Sequence, residues 1–437
     1  MKARIVLICL CIWIVSCKDD YTRDKEHSNI ESWIPAYKKY PEVSASAFKI
    51  KYCFRVGSDV PLEQETQEGK EAFRKSLEEQ VYPEYYGGYY TDQQNSPRII
   101  VFLTDTSSRV KSEFIELCQI ASDDITFEPC TYSYNELLRL QKKLSCSSLF
   151  EKWNIESTLI RHNKLYVLFN GQAKEETIAR FKAEVMDSPM LVLKSTEEYD
   201  HVERNRPRLT SQNSREIAAF IPENVRCGNR FFVNYGLYNP DDPTSYNMNV
   251  GRMGFCAYAR NSFDAEFVYG FVTAAHNFNN FNKDIWISPY ILEAIDSPFA
   301  YPHFIYRSSI DCAFCRFSPG YYIPKAHNPA MVFSIEDGMK IEVLMRGSKY
   351  PARVQDPECN IDINGCNVHV ARCYFSDITR RPSLEQGDSG TLVLTSTESS
   401  WINGDVVGIV VAMSGSDVFF VVPAINMTNC FDIKFSI

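Results

Sequence analysis

The sequence predicts a mixed α+β first half followed by an all-β second half. From about residue 60 to about residue 195, the apolar positions alternate between the two-residue period of strands and the 3.6-residue period of helices. Beyond about residue 230 the helical period nearly disappears, and short apolar runs are separated by turn residues. That second pattern, sustained over about 200 residues, is typical of an all-β barrel or sandwich.

The composition limits the kinds of protein this can be. The chain has 437 residues, of which 45% are hydrophobic and 23% charged, and these values exclude a disordered protein and a polytopic membrane protein. Its net charge of -9 at pH 7 provides no basic surface for nucleic acid, so no nucleic-acid partner is expected.

Residues 1–17 are expected to form an export signal. Lys2 and Arg4 precede the apolar run Ile5–Val15, which is too short to span a bilayer comfortably. The run leads to Cys17 in a motif that resembles a bacterial lipobox, where a lipid on the cysteine would anchor the protein without spanning the membrane. We therefore expect a lipoprotein of the outer membrane or cell surface of a Gram-negative bacterium. The alternative is a secreted protein with a plain secretory signal.

The cysteines favour disulfides rather than a metal or redox centre. Of the 15 cysteines, those beyond residue 17 are even in number, which in an exported protein favours pairs within each half. Cys312 and Cys315 form a CxxC in a predicted strand, where the two thiols point to opposite faces, unlike those of a redox motif. Cys359, Cys366 and Cys373 are separated by six residues each, and no second CxxC follows the one at Cys312, which is unlike a zinc site. We therefore predict no metal and no cofactor.

The first half is predicted to contain two copies of a unit made of a hairpin, a helix and a strand. In the first copy these elements are Tyr85–Asp92 with Arg98–Asp105, Arg109–Ile120 and Ile125–Tyr132. An amphipathic helix carrying Leu137 and Leu144 follows. In the second copy the elements are Ser157–Arg161 with Lys164–Asn170, Glu175–Met186 and Met190–Lys194.

A polar segment separates the two halves. The segment 196–230 is rich in Arg and Asn and is predicted to be an exposed linker, the kind of loop that proteases cut. The second half then shows apolar strands, with Asn403-Gly404 as a hairpin turn. These predicted strands are Phe267–Thr273, Ile341–Met345, Thr391–Thr395, Val406–Met413 and Phe419–Ile425.

Three short motifs in the second half carry residues suited to nucleophilic catalysis. An apolar strand ends at His276, an acid enters a strand at Asp311, and the tight turn Gly387–Gly390 presents Ser389. Their order along the chain is that of chymotrypsin, and it differs from the orders in subtilisin and in α/β-hydrolases. A serine hydroxyl needs an imidazole to take its proton. We therefore predict Ser389 as the nucleophile, His276 as the general base and Asp311 as the residue that fixes the imidazole tautomer.

With these motifs, the segment 230–425 resembles the chymotrypsin-like serine peptidases, nearer to the bacterial alpha-lytic protease and streptogrisin branch than to animal trypsins. The first half resembles the pro-region of that branch, through its tandem units and the stretch Tyr86–Asp92. The resemblance implies an all-β double-barrel peptidase domain. It also implies an α+β pro-region that acts as an intramolecular chaperone and inhibitor.

The resemblance also assigns supporting roles. The backbone N–H groups of Gly387 and Ser389 would form the oxyanion hole. Asp388 would be buried against an arginine, and Arg346 lies about where that arginine is expected, although it could equally be a surface residue. The pocket floor would lie at Ser383. Met413 would line the same pocket and favour an apolar or aromatic P1 side chain.

Three positions depart from the family pattern. Asn277 stands where a disulfide cysteine is usual, Thr391 where a glycine follows the turn, and Val411 where a serine hydrogen-bonds the aspartate. These departures support an alternative function, a catalytically inactive surface lipoprotein of the same fold that binds a protein partner.

The predicted organisation is that of a pro-enzyme. It comprises a signal (1–17), a pro-region (18–203), a linker with a possible processing site (204–234) and a peptidase domain (235–437). The predicted function is that of a serine endopeptidase forming an acyl-enzyme. Its partners would be a protein or peptide substrate, its own pro-region and, through Cys17 alone, a membrane.

Overall fold

The structure of the chain is a computed structural model. It describes residues 46–47, 49–50, 82–92, 98–145, 147–171, 174–204, 227, 230–234, 248–260, 267–278, 286–288, 300–318, 332, 335–345, 347–377, 379, 381–385, 387–396, 404–415, 417–431 and 433–434. The export signal with Cys17, most of the linker and Arg346 lie outside these residues. Within them, no helix is long and apolar enough to cross a membrane.

The first half contains two units with the same order and the same strand pairing. The first unit is β1 (Tyr86–Asp92), β2 (Arg98–Leu103), α1 (Ser108–Cys118) and β3 (Ile125–Pro129). The second is β4 (Ile155–Arg161), β5 (Lys164–Phe169), α4 (Glu175–Glu184) and β6 (Leu191–Ser195). In each unit the first two strands are antiparallel and the third pairs in parallel with the second. Two further helices, α2 (Tyr134–Leu144) and α3 (Ser147–Trp153), connect the units.

Local sequence explains where these elements begin and end. Helix α2 starts at a capping box in which Ser133 and Glu136 satisfy each other's backbone N–H groups. Its buried leucines are spaced for one face, which packs on the second unit. The turn between β4 and β5 is His162-Asn163, both with positive φ, as in the tight turns that close hairpins.

The segment expected as a linker contains regular structure at both of its ends, and there the expectation was wrong. Helix α5 (Thr196–Arg204) follows β6 directly, and the side chain of Ser195 accepts a hydrogen bond from the Glu198 N–H at its start. One residue of the helix, Tyr199, is buried in the core while its neighbours are polar, which explains the linker-like sequence. At the other end, β7 (Arg230–Asn234) pairs into the second half.

The second half consists of two antiparallel sheets. The first contains β7, β8 (Met248–Arg252), β9 (Cys256–Arg260), β10 (Phe267–Thr273), β11 (Trp286–Ser288), β12 (Ala300–Arg307), β13 (Asp311–Phe317) and β20 (Ile433–Lys434). The second contains β14 (Lys340–Met345), β15 (Ser348–Ile363), β16 (Cys366–Phe375), β17 (Leu392–Thr395), β18 (Val406–Ser414) and β19 (Val418–Pro423). Its strand order is β14-β17-β18-β19-β16-β15, and a pairing of β14 with β15 closes it into a barrel. A C-terminal helix, α6 (Ala424–Phe431), follows β19.

The two halves share one sheet and one buried cluster of side chains. Strand β4 pairs with β15 through Leu159 opposite Cys359 and Thr158 opposite Asn360, so the sheet of the second unit extends the closed barrel. Leu159 and Tyr199 belong to the same buried cluster as side chains from both sheets of the second half. The first half therefore packs directly on the second half rather than forming a separate domain.

The expected disulfides are not formed by the nine cysteines whose thiols the structure describes, although Sγ of Cys227 and Sγ of Cys256 lie 3.3 Å apart. Cys312 and Cys315 cannot pair with each other, because one packs in one core cluster and the other in another, as their strand predicts. Burial also raises the pKa of Cys315 and Cys359 well above the ordinary thiol value, which keeps them protonated and unreactive.

Candidate active site

The structure brings His276, Asp311 and Ser389 into one hydrogen-bonded series. The Ser389 Oγ lies 2.7 Å from the Nε2 of His276, and the Nδ1 of the same ring contacts the Asp311 carboxylate. The first two residues in chain order come from one sheet and the serine comes from the other. The three side chains therefore meet where the two sheets of the second half face each other.

Each member of the series is placed by its element. His276 lies in a short 3-10 turn directly after β10, and Asp311 is the first residue of β13. These strands are antiparallel neighbours, with Thr273 opposite Ala313, so the turn and the carboxylate fall at the same end of the sheet. The backbone N–H of His276 also donates to Asp311 Oδ1 at 2.9 Å. The carboxylate is thereby oriented by two groups of the residue that it supports.

Burial differs along the series in a useful direction. The side chain of Asp311 is 4% exposed and that of His276 is 20% exposed. The carboxylate is withdrawn from water, which strengthens its interaction with the ring. The ring itself remains partly exposed to solvent.

The turn that carries Ser389 depends on two glycines with positive φ. Gly387 has φ +93° and Gly390 has φ +95°, a region that side chains disfavour. A Cβ on Gly387 would lie 3.0 Å from Cβ of Val250, and one on Gly390 would overlap the carbonyl of Arg252. Among the described residues, none accepts a hydrogen bond from the amide of Gly387 or Ser389. Both donors remain available beside the serine hydroxyl.

Asp388 is buried and is held by two arginines. Arg252 donates to its Oδ1 from Nε at 2.8 Å and from Nη2 at 2.7 Å, and Arg230 reaches the same atom at 3.0 Å. The N–H of Glu385 donates to Oδ2 at 2.9 Å. Burial by itself raises the pKa of this carboxyl, but the Glu385 N–H and the Arg252 charge outweigh burial and lower it. The carboxylate therefore stays ionised and fixes the turn.

Arg252 is a site residue that sequence reasoning missed. Arg346, the nominee for this position, lies outside the described residues. The available signal for Arg252 was its place in a short run flanked by Gly251 and Gly254, because a buried strand rarely contains an arginine without a partner. Nothing in the sequence, however, indicates a partner 136 positions away.

The other departures are accommodated by packing. The Thr391 side chain is buried, and its hydroxyl donates to the carbonyl of Asp388 at 2.5 Å, so it braces the turn. Val411 is buried in the core cluster that joins the two sheets. Neither side chain displaces the hydrogen-bonded series.

The two residues predicted to form a specificity pocket are both exposed to solvent. Ser383 is exposed in the loop before the turn, and Met413 is 47% exposed on β18. Neither lines the cavity that the structure forms between the halves, beside Tyr86, Tyr134 and Arg161. Among the described residues, no group of three or more His, Cys, Asp or Glu has the arrangement of a metal site.

Comparison with known proteins gives a partial likeness. No family model matches the chain, and no curated protein matches it. Several solved structures that resemble part of it are serine proteases. The Nocardiopsis protease is 16% identical, covers 48% of this chain and 96% of its own, and has a TM-score of 0.33. The chymotrypsin of Cellulomonas bogoriensis is 14% identical, the match covers 48% of this chain and 96% of the chymotrypsin, and the TM-score is 0.32. Protease A of Thermobifida fusca is 14% identical, the match covers 48% of this chain and 96% of the protease, and the TM-score is 0.33. At these values the likeness concerns the β-rich architecture of about half of the chain.

Proposed function

We propose that the protein is a serine endopeptidase that works through an acyl-enzyme. The observation that carries this proposal is the unbroken hydrogen-bonded series from Asp311 through His276 to Ser389, beside two backbone N–H groups that donate to none of the described residues. Ordinary turn serines lack such a base, and ordinary core histidines lack both partners. The combination matches what acyl transfer requires.

In the first half-reaction, Ser389 Oγ attacks the carbonyl carbon of the scissile peptide. Its proton passes to Nε2 of His276, and the Nδ1–H keeps its hydrogen bond to Asp311. The imidazolium then gives this proton to the leaving amine as the C–N bond breaks, which leaves an ester on the serine. A water molecule repeats the sequence and releases the acid.

The charge on the carbonyl oxygen needs donors that are already in place. The amides of Gly387 and Ser389 would supply them, because neither donates to a described residue and the turn that carries them is held in one form by the positive φ of Gly387. The Asp388 ion pair with Arg252 holds the turn in this form without a freed amino terminus. Asp388 keeps the supporting role that the resemblance implied, and Arg252 is assigned the arginine role for which Arg346 was the candidate.

Labelling with a fluorophosphonate tests the proposal directly. The wild type should form a covalent adduct, Ser389→Ala should form none, and turnover of a peptide ester should fall on the order of 10⁶-fold. Ser396→Ala, which changes an exposed serine in the same half, is the matched control and should label like the wild type. An unlabelled wild type, or a labelled Ser389→Ala, would refute the proposed chemistry.

We also infer that protein or peptide substrates enter with an apolar or aromatic P1 side chain. Met413 supports this inference, because it is a large apolar residue exposed on β18 next to the buried Val411. Ser383 offers no carboxylate that would favour Lys or Arg. A panel of peptide esters differing only at P1 would measure the preference, and faster turnover of the Lys ester than the Phe ester would overturn it.

The first half is proposed to act as a pro-region, with a cut in the linker 204–234 and, before it, a lipid anchor on Cys17. The shared sheet between β4 and β15 supports a chaperone role, since the first half supplies a strand that extends the barrel. Mass spectrometry of the wild type beside Ser389→Ala tests self-processing, and identical uncut products would refute it.

The alternative function, that of an inactive surface lipoprotein, gains no support from Thr391 or Val411, because their side chains fit around an intact set of reacting groups.

A further inference from the structure

The residue after the proposed base makes a second connection to the nucleophile. Asn277 is buried, and its Nδ2 donates to the carbonyl oxygen of Ser389 at 3.2 Å and to Oγ1 of Thr273 at 3.1 Å. The same Ser389 carbonyl accepts the backbone N–H of Arg252 at 2.8 Å. The peptide group that follows the nucleophile is thus held by two donors, both of them from the opposite sheet.

The chemistry of the acceptors fixes which end of the Asn277 amide faces them. A backbone carbonyl can only accept, so Ser389 requires the NH₂ end. The Thr273 hydroxyl donates its hydrogen to the Arg252 carbonyl at 2.8 Å, which leaves its lone pairs to accept from the same NH₂. Both contacts therefore require the NH₂ group of Asn277 at this end. In the opposite orientation, the Oδ1 of Asn277, which only accepts, would face two other acceptors.

The neighbouring strand is shaped for this side chain. A Cβ on Gly251 would lie 2.8 Å from Cγ of Asn277 and would overlap its Nδ2, so β8 admits the amide only because it has a glycine there. Position 277 is also where the resembling family has a disulfide cysteine. An amide donor, with room made for it by Gly251, occupies the place of that covalent connection.

We propose that Asn277 is a positioning residue for the nucleophile, an inference that rests on the proposed peptidase function. His276 holds the hydroxyl of Ser389 and Asn277 holds its carbonyl, so two consecutive residues grip both ends of the serine. The N–H of the same peptide group, that of Gly390, donates to the carbonyl of Val410 at 2.7 Å, so the carbonyl end is the end that Asn277 helps to hold. Without the Asn277 donor, the Ser389 carbonyl keeps only the Arg252 N–H, and a small rotation of this peptide group changes the distance from Oγ to the base.

The test measures the rate of fluorophosphonate labelling, kcat and KM, together with Tm. Asn277→Leu has nearly the same volume and no donor. It should label about 10- to 100-fold more slowly, because displacement of a reacting group by about 1 Å costs up to 10²-fold in rate. The loss should appear in kcat with KM changed less than about 2-fold, since the ground-state contacts with substrate are untouched.

The control separates positioning from stability. Asn360→Leu also removes a buried asparagine with a side-chain partner, His369, but on β15, which carries no reacting group. It should lower Tm by a similar amount and label at the wild-type rate. Should Asn277→Leu fail to fold, Asn277→Ala carries the same test, because it removes the donor without adding bulk.

The outcomes distinguish this inference from the function on which it rests. If the wild type is labelled, and Asn277→Leu and Asn277→Ala are labelled as fast as the wild type, the positioning role alone is overturned. Equal slowing of Asn277→Leu and Asn360→Leu also overturns it, because a general loss of stability would then explain the effect. An unlabelled wild type overturns the peptidase proposal and this inference together.

Discussion

Two arginines meet the same carboxylate oxygen of Asp388 from different environments. The side chain of Arg252 is 2% exposed, whereas that of Arg230 is 36% exposed. We predict that Arg252→Leu lowers the free energy of unfolding by about 3–5 kcal/mol, because a buried carboxylate loses its buried counter-charge. Arg230→Leu, the matched control, should cost only about 0–1 kcal/mol, because water screens that pair. Urea unfolding at pH 7 measures both, and equal losses would contradict the prediction.

The lowered pKa of Asp388 gives the turn a pH dependence of known sign. Because the folded pKa lies below the unfolded one, the carboxylate stabilises the fold above about pH 4 and loses this effect as pH falls through the folded pKa. We predict that Asp388→Asn is less stable at neutral pH. Its Tm should also fall less steeply than that of the wild type below about pH 4. Parallel Tm profiles in acid would contradict the prediction.

Motif residues and their supports differ in how far sequence could identify them. His276, Asp311 and Ser389 stand in short patterns whose order along the chain indicates one chemistry, and the structure places them together. Arg252 and Asn277 act through partners 136 and 112 positions away. No local pattern encodes such a pairing, because it depends on how two sheets meet.

At the scale of elements, the turn from Gly387 to Gly390 is the most demanding piece of backbone near the site. We predict that Gly387→Ala lowers kcat about 10²- to 10³-fold, because its strained φ and the contact with Val250 move the amide donor. Gly365→Ala is the matched control, since its φ is +84° and a Cβ there meets nothing within 4 Å. Both substitutions should cost about 1–2 kcal/mol of stability. Steady-state kinetics with urea unfolding would contradict the prediction if kcat fell equally in both.

Elements with clear periodicity were predicted well, and those whose polar residues are buried were not. The hairpin around His162-Asn163 was expected and is found. The long hairpin of β15 and β16 was missed, although Asn364-Gly365 at its tip, with both φ values positive, is a favourable hairpin turn. Gln355 and Asp356 hide the alternation of β15, because they are buried against arginines of the two strands that pair with it, Arg372 of β16 and Arg161 of β4.

At the scale of the whole molecule, the two halves exchange arginines across their interface. Arg372 of the second half is fully buried and reaches Glu156 and Asp200 of the first. Burial by itself would lower the pKa of Arg372, but these carboxylates outweigh it and raise that pKa, so the cation persists. In return, Arg161 of the first half binds Asp356 of the second at 2.9 Å. The interface combines this charge network with the paired strands β4 and β15.

This arrangement predicts that the halves stay together after the linker is cut. In a Ser389→Ala background, with a recognition site for a specific protease placed in the linker, both fragments should co-elute in size-exclusion chromatography at pH 7. The double variant Arg161→Leu/Arg372→Leu should weaken their association at least about 100-fold, because it leaves buried carboxylates without partners.

An exposed arginine of the same half provides the control for that experiment. Arg180→Leu removes a pair with Glu184 whose side chains are 61% and 41% exposed, so it should leave co-elution unchanged. If the cut fragments that keep Arg161 and Arg372 elute separately, the shared sheet and the buried charges do not hold the halves together. A processed enzyme would then lose its first half at once. If they co-elute, cleavage alone does not free the peptidase half, and a further event must separate the strands.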